Sequence, residues 1–528
     1  MNKSLTLLLA LVLLPFSVSS ETVVRISDPE HWEPKALSAY VGQTVTFSVP
    51  FYVCDNSSGL TVAPRRLYSP TNQELPGSDE YEALRVLNSE KYPTLSGVSG
   101  YHRMGERIHN LRVRVNSTTS LTYVSGTWVG NSRLEMQEGP NMAHLDMYGK
   151  HQLLVCGFNL EYYLTEAFDP YSSMGPDDSE EHQLQREKVG QALTLINADL
   201  FGFVEVQQGP GALREIAQDL TAHTGRRFDY VTDGSAVDGT YTKSGYVYCS
   251  DVIEPVYPMV EVEAVVKHRK KIMLFRVRET GEQFIFSINH FKAKSGSASG
   301  LDADQGDGQG LYNSSRKREA QEVLARCQTF AQSVSDPDIL IMGDLNAYAK
   351  EDPITTFTRA GLYDLHRYCH ADSSYSYTFH GQAGYLDHAI CSPSLLRQVT
   401  GMTAFHINSD ENDRYTYDKS NDGTMFRCSD HDPVIVGLAL DSTRTSIPEV
   451  YVNSLEVLTN RQNIIIRNAD KPEYPAWVRM VSVDGRELLF TDIHTDEYEV
   501  ALPTAAGVYI VIVYAGNQQV YRSKVIVP

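Results

Sequence analysis

Cysteine is scarce in this chain: seven residues among 528, an odd number. So low a density excludes a scaffold built from disulfides, the device of small exported domains with thin cores. It also leaves at least one thiol unpaired. Cys156, Cys249 and Cys391 sit in strand-like apolar runs and read as small buried side chains. Cys369 and Cys428 fall in loops and are the pair expected to be linked, if any is. Positive charge is short as well. Lys and Arg number 46 against 66 Asp and Glu, a net charge of −20. That balance excludes a protein that coats nucleic acid by bulk attraction. Long apolar runs are missing beyond the first 20 residues, and none approaches the ~18 residues of a membrane-crossing helix. Neither an internal repeat nor a low-complexity tract occurs.

What is present supports large cores. Apolar residues make up 42% and aromatics 10%, which argues against disorder, and the length suggests about three domains. The opening "MNKSLTLLLALVLLPFSVSSE" places one lysine before a leucine-rich run and ends in small residues, with Val18 and Ser20 in cleavage spacing. Residues 1–20 therefore read as a secretory signal peptide, with an uncleaved anchor as the competing reading. The mature chain is expected to be secreted, without a membrane span, and monomeric.

Three regions follow. Residues 22–148 hold strand-like runs such as "RIHNLRVRV" and "LTYVSGTWVG" with no helical period, and predict a small β-barrel or sandwich. Residues 149–441 alternate strands with helices and include the hairpin "KIMLFRVRETGEQFIFSINHF". This mixture predicts an α+β domain of layered sheets covered by helices, not a purely parallel doubly wound sheet. After a Ser/Thr-rich joint, residues 447–528 return to short β runs. Residues 267–278, "KHRKKIMLFRVR", gather six Lys and Arg without an acid. They read either as a cationic ridge for a polyanion or as a strand edge guarded by lysines.

Polar side chains stand at the ends of the hydrophobic strands of the central region. Asn159 and Glu161 follow "LLVCGF", Glu205 interrupts "LFGFVEVQ", and His290 ends the hairpin. Asp344 and Asn346 lie in "LIMGDLNAY", Asp387 in "YLDHAI", and Asp430 with His431 in "SDHDPV". A Gly-Asp-Asn turn after a strand is commonplace. A carboxylate inside a buried strand is not, and needs a cation or hydrogen bonds. Strand ends that converge on one sheet edge are where sites form. Carboxylates with two histidines suit Mg²⁺ or Mn²⁺, or Ca²⁺, better than zinc.

In order and wording, "FNLEYY", "VEVQ", "NHFKAKSG", "GDLNAY", "YLDHAI" and "SDHDPV" resemble the endonuclease/exonuclease/phosphatase superfamily, particularly its large secreted bacterial nucleases. The resemblance spans roughly residues 150–440. It implies a four-layered α/β/β/α sandwich around two sheets, and a metal-dependent endonuclease that cleaves DNA, and RNA as an open alternative, with little sequence preference. By motif, Glu205 would be the principal metal ligand, supported by Asn159, Glu161 and Asp430. Asp344 would orient or deprotonate water, and Asn346 would steady it. His431 would serve as acid/base with Asp387 behind it, and His290 as a second acid/base. Lys292 and Lys294 would neutralise neighbouring phosphates. One departure is "KSGYVYCS", where many relatives carry an arginine. Asp302, Asp304 and Asp307 in "LDADQGDGQG" suggest either a Ca²⁺ site or a plain Gly-rich loop.

The flanks have resemblances of their own. The first is similar to an oligonucleotide-binding (OB-like) barrel. The last, "AAGVYIVIVYAGNQQVYRSKVIV", is similar to the Ig-like sorting tail read by type nine secretion machinery. Two alternatives remain at this point: a phosphodiesterase of the same fold acting on sphingomyelin or inositol phosphates, and an inactive surface-binding protein.

Overall fold

The computed structural model describes residues 22–165, 175–233, 242–370 and 373–440, together with strands lying between Leu455 and Val527. The leader at 1–20 and the joint at 441–454 lie outside the described residues.

The amino-terminal region forms β1 (Thr22–Val24), β2 (Thr44–Phe47), β3 (Phe51–Asp55), β4 (Leu60–Ala63), β5 (Thr94–Ser96), β6 (Arg107–Ser117) and β7 (Ser120–Val129). Their pairings close on themselves. β3 binds β4, β4 binds β5, β5 runs parallel to β7, and β7 returns to β6, whose other edge takes β2 and β3. Alternation in β6 explains the packing. Ile108, Leu111, Val113 and Val115 are fully buried, while Arg107, Arg112 and Arg114 face water. Asn110, at φ 51°, is the extra residue that keeps both faces in phase across a bulge.

The central region contributes β8 (Leu153–Tyr163), β9 (Leu200–Gln207), β10 (Phe228–Tyr230), β11 (Thr242–Cys249), β12 (Ile253–Glu261), β13 (Lys270–Val277), β14 (Gln283–His290) and β15 (Ile339–Asp344). It continues with β16 (Tyr363–Asp364), the hairpin β17 (Tyr377–Phe379) and β18 (Gln382–Gly384), then β19 (Asp387–Cys391), β20 (Val399–Ala404) and β21 (Val434–Leu438). Two six-stranded sheets result, ordered β10-β11-β9-β8-β21-β20 and β12-β13-β14-β15-β19-β16. Their inner faces meet through Val155, Leu200 and Val204 on one side and Phe284, Phe286, Leu340 and Met342 on the other. The outer face of the first sheet packs Phe158, Phe201 and Phe203 against helices Ser179–Ile196 and Gly211–Thr224. The second packs Ile272, Ile285 and Ile341 against helices Asn313–Val334 and Asp352–Arg359. The layers run helix, sheet, sheet, helix, the order that the resemblance implies.

The carboxyl-terminal strands pair as two antiparallel sheets, one of Leu455–Thr459, Asn463–Asn468 and Glu497–Ala501, the other of four strands from Ala476–Ser482 to Gln518–Val527.

Two expectations are corrected. All seven cysteines are free, Cys369 and Cys428 included. Cys428 packs between the first sheet and its helices, whereas Cys369 packs against the core between the sheets, so a sheet separates them. Residues 267–278 do not form a cationic ridge either. Lys270 is buried against Glu319 (2.9 Å), Lys271 is buried against Asp233, and Arg276 and Arg278 pair with Glu254.

Candidate active site

Register gathers the site. β14 and β15 are parallel neighbours that place His290 beside Asp344, and antiparallel β19 places Asp387 on the other side of Asp344. Across the inter-sheet core, β8 and β9 set Asn159 opposite Val204, one step before Glu205. Five strand ends from two sheets thus meet at one edge. Asn159 joins them, its Nδ2 donating to Glu205 Oε1 (3.3 Å) and Asp344 Oδ2 (3.1 Å).

Broken alternation aims the carboxylates. Phe201 and Phe203 face the helices while Leu200 and Val204 face the other sheet, so a regular strand would turn residue 205 toward the helices. Instead Glu205 adopts φ 58° and Val206 takes the helix-side place. Glu161 (φ 49°) and Tyr162 (φ 56°) form a matching bulge in β8, and the Tyr162 N–H donates to Glu205 Oε2 (3.2 Å). Left-handed conformations at residues other than glycine are uncommon, and their concentration here is the kind of strain found at functional sites. In the "GDLN" turn, Asn346 (φ 48°) donates its N–H to Asp344 Oδ1 (2.8 Å) and its Nδ2 to Asp344 Oδ2 (3.2 Å) and the Phe291 carbonyl (3.1 Å).

Glu205, His290 and Asp344 present ligand atoms within 4.8 Å of one another, the one such group among the described residues. His290 Nε2 lies 3.4 Å from Glu205 Oε1 and 3.7 Å from Asp344 Oδ2. Beside them, His431 Nδ1 bonds Asp387 Oδ2 at 2.6 Å, and its Nε2 faces Asp430 Oδ1 (3.8 Å) and Asp344 Oδ2 (3.9 Å). Asp387 Oδ2 also accepts from the Ser376 hydroxyl (2.8 Å), and the Tyr377 ring stacks on His431 at 4.7 Å.

Burial, with the neighbouring charges added to it, sets the protonation states. Burial and then Asp430 push the Glu161 carboxyl up to about 8, and its Oε2 is buried with no hydrogen-bond partner among the described residues. Burial raises Glu205 too, with Asp430 adding to it, and lifts Asp344 to about 7. Burial, followed by Arg269, drives His290 far below the usual imidazole range, leaving its ring neutral. Burial also works against charge on His431, but Asp387, Asp430 and Asp344 outweigh it and hold that imidazole well above its ordinary value.

These residues fit a divalent cation. Three carboxylates raised by burial and mutual repulsion, an orphaned Glu161 oxygen and a neutral imidazole form a donor set that lacks only positive charge. The tight set is Glu205, His290 and Asp344, with Asn159, Glu161 and Asp430 around it, so His290 joins the metal candidates. Lys292 and Lys294 are less available than their spacing suggests. Lys294 pairs with buried Glu351 (2.5 Å), and Lys292 Nζ sits 4.4 Å over the Tyr312 ring. Asp302, Asp304 and Asp307 serve turns: Asp302 caps Ser315, Asp304 accepts from Gly306, and Asp307 holds Gln309.

Sequence reading missed Arg269, Ser376 and Tyr377. Arg269 acts electrostatically on both Glu205 and His290, and among the described residues its Nε is buried without a partner. In β11, Lys243 is buried against Asp233 (2.8 Å). Only its place in a uniformly basic run hid Arg269. Nothing in "SSYSYTF" distinguishes Ser376 or Tyr377.

No curated protein matches the chain. Residues 172–431, just under half of it, match the profile of the Endonuclease/Exonuclease/phosphatase family. Among solved structures, an endonuclease/exonuclease/phosphatase from Bacteroides vulgatus is 17% identical, covering 55% of this chain and 99% of its own, with a TM-score of 0.37. A mannosyl-6-phosphatase of Bacteroides thetaiotaomicron is 17% identical over 55% and 100%, TM-score 0.38. The catalytic domain of human Nocturnin is 14% identical over 55% and 94%, TM-score 0.36. Over residues 172–431 this chain is thus similar to the Endonuclease/Exonuclease/phosphatase family.

Proposed function

We propose that the chain is an exported, divalent-metal-dependent endonuclease that hydrolyses phosphodiester bonds of DNA, and of RNA, with little sequence preference. The observation that carries the reading is the junction of Glu205, His290 and Asp344 with the Asp387–His431 pair at one sheet edge. A cation held by Glu205, Asp344 and His290, with Asn159, Glu161 and Asp430 in support, would neutralise the phosphate and stabilise the charge of its transition state. Asp344, held by both donors of Asn346, orients the attacking water and takes its proton. His431, kept charged by Asp387, faces the phosphate through Nε2 and delivers a proton to the leaving oxygen. Arg269 steadies a phosphate oxygen beside His290.

The strand order of residues 22–148 supports an OB-like barrel, a scaffold that takes oligonucleotides and oligosaccharides. Export through the leader, and sorting through residues 447–528, are part of the same proposal. The test incubates the purified protein with circular and linear DNA, RNA and sphingomyelin, each with Mg²⁺, Ca²⁺ or chelator. Opening of circular DNA that chelator stops is the expected result. Turnover of the lipid alone would overturn the nuclease reading.

A further inference from the structure

A row of aromatic rings leads away from the site. The Tyr377 ring stacks on His431 at 4.7 Å, and the Phe379 ring lies 6.5 Å from that of Tyr377, with the two planes 14° apart. Residues two apart in a strand share a face, so β17 presents both rings on one side. Tyr377 is half-buried, whereas Phe379 is 54% exposed. A single phenylalanine in water is commonplace. This one ends a row that begins at a site histidine, where the group next to a bound phosphate would lie.

The hairpin that carries the row is held from both sides. Its turn, His380 (φ 48°) and Gly381 (φ 73°), is the two-residue kind with both φ positive, whose twist matches that of the strands. β18 is bonded to the amino-terminal module: the Ala383 N–H donates to the Leu67 carbonyl (2.8 Å), and the Ser69 N–H to the Ala383 carbonyl (2.8 Å). Gln382, across from Phe379, accepts from Asn88 Nδ2 (3.0 Å). At the tip, a Cβ on Gly381 would lie 3.2 Å from the Asp55 Cβ and from the Cys54 carbonyl oxygen, so the turn rests on β3. A tip seated on protein is not free to enter a bilayer, which argues against a membrane anchor. It also leaves little freedom to be lost when a flat ring stacks on Phe379.

We propose that Tyr377 and Phe379 form a stacking platform for an unpaired nucleobase beside the phosphate that His431 faces, so that the site prefers single-stranded or locally opened DNA and RNA to duplex. This assignment rests on the nuclease reading of the site and narrows its substrate. In a duplex each base is covered by its neighbours and paired at its edge, and only an unpaired or extruded base turns a face to a side chain. Every base has such a face, so the platform selects the state of the strand without selecting its sequence.

The test uses the full chain with Mg²⁺ and measures kcat/KM on oligothymidylate of about 20 nucleotides, on the same strand paired with oligoadenylate, and on a strand of equal length whose sugars carry no base. The parent should favour the unpaired thymidylate over both others about tenfold or more. Phe379→Ala should lower kcat/KM on that strand about tenfold, chiefly through KM, and so treat the three substrates nearly alike. Phe379→Trp should keep the preference and Phe379→Leu should not, which separates an aromatic face from mere bulk. Melting temperatures should stay near the parent's, because the ring is exposed. A second readout needs no turnover: in chelator, oligothymidylate should quench the fluorescence of the Phe379→Trp chain beyond any change in the parent. A parent that cleaves duplex as readily as the unpaired strand, a preference that survives Phe379→Ala, or a lack of quenching would each overturn the proposal. So would Phe379-dependent sedimentation with vesicles of sphingomyelin and phosphatidylcholine, which would make the ring a membrane contact. The two readings fail separately. Quenching by an oligonucleotide that the chain does not cleave removes the nuclease function and leaves the platform; cleavage with a strand preference independent of Phe379 does the reverse.

Discussion

Asp344 stands between two histidines, 3.7 Å from the Nε2 of His290 and 3.9 Å from that of His431, and its neighbours explain its assigned work. Asp344→Ala and His431→Ala should each lower kcat by about 10²–10⁴, the usual span for a positioned acid or base. Circular dichroism and the melting temperature should stay near those of the parent, which distinguishes lost chemistry from lost fold. Asp387→Asn keeps the shape but removes the charge that holds His431 protonated, so kcat should drop while KM holds. Cation binding has a readout independent of turnover. Mg²⁺ or Mn²⁺ at about 100 times its Kd should stabilise the fold by ~2.7 kcal/mol, because it relieves repulsion among buried carboxylates. A thermal melt checks this, and Glu205→Gln should abolish the shift.

Among the elements, β15 depends on a glycine for a steric reason. Gly343 has φ 119°, and a Cβ there would lie 2.1 Å from the Asn289 carbonyl oxygen on β14. Gly343→Ala should cost about 3 kcal/mol or more, through backbone strain and forced separation of the two strands whose ends are His290 and Asp344. A chemical denaturation curve measures it, and a loss below about 1 kcal/mol would mean the strands part easily. The same logic applies to the bulges in β8 and β9. They displace Glu161 and Glu205 from the alternating pattern and point them at the strand ends, so local strain is tied to function.

On the scale of the whole molecule, the amino-terminal module and the catalytic domain share buried charge. Arg66 pairs with Asp410, which also accepts from Tyr375 (2.6 Å), while Arg103 and Arg133 pair with Glu411 (2.5 and 2.6 Å). The segment after Arg66 then bonds the β18 hairpin strand, through Ser69 N–H to the Ala383 carbonyl (2.8 Å), close to Tyr377. Arg66→Ala leaves a fully buried carboxylate without its main partner, and should destabilise by about 3–5 kcal/mol. The pH dependence has a definite sign. Burial alone would raise Asp410, but Arg66 and then Arg103 outweigh it and hold the carboxyl below its ordinary value. A depressed folded pKa stabilises above the unfolded value of about 3.9, and that support fades as pH falls through the folded pKa. The melting temperature of Asp410→Asn should therefore lie below the parent at about pH 7, with the gap closing as pH falls below the unfolded value and through the depressed folded one.

Periodicity and composition were enough for the mixed α+β character of the central region, because alternation of two and a helical repeat of about 3.6 are written locally in runs such as "LFGFVEVQ" and the helix after Asp178. The polar residues at the strand ends could be found the same way, since a carboxylate or imidazole amid buried β-residues stands out. What needed the folded chain was everything set by register between distant strands: that His290 joins Glu205 and Asp344, that Lys294 is spent on Glu351, that Arg269 faces the site, and that Cys369 and Cys428 lie on opposite sides of a sheet. Local sequence encodes which face a side chain occupies. Which charge it meets there depends on how two sheets stack, and no single stretch contains that information.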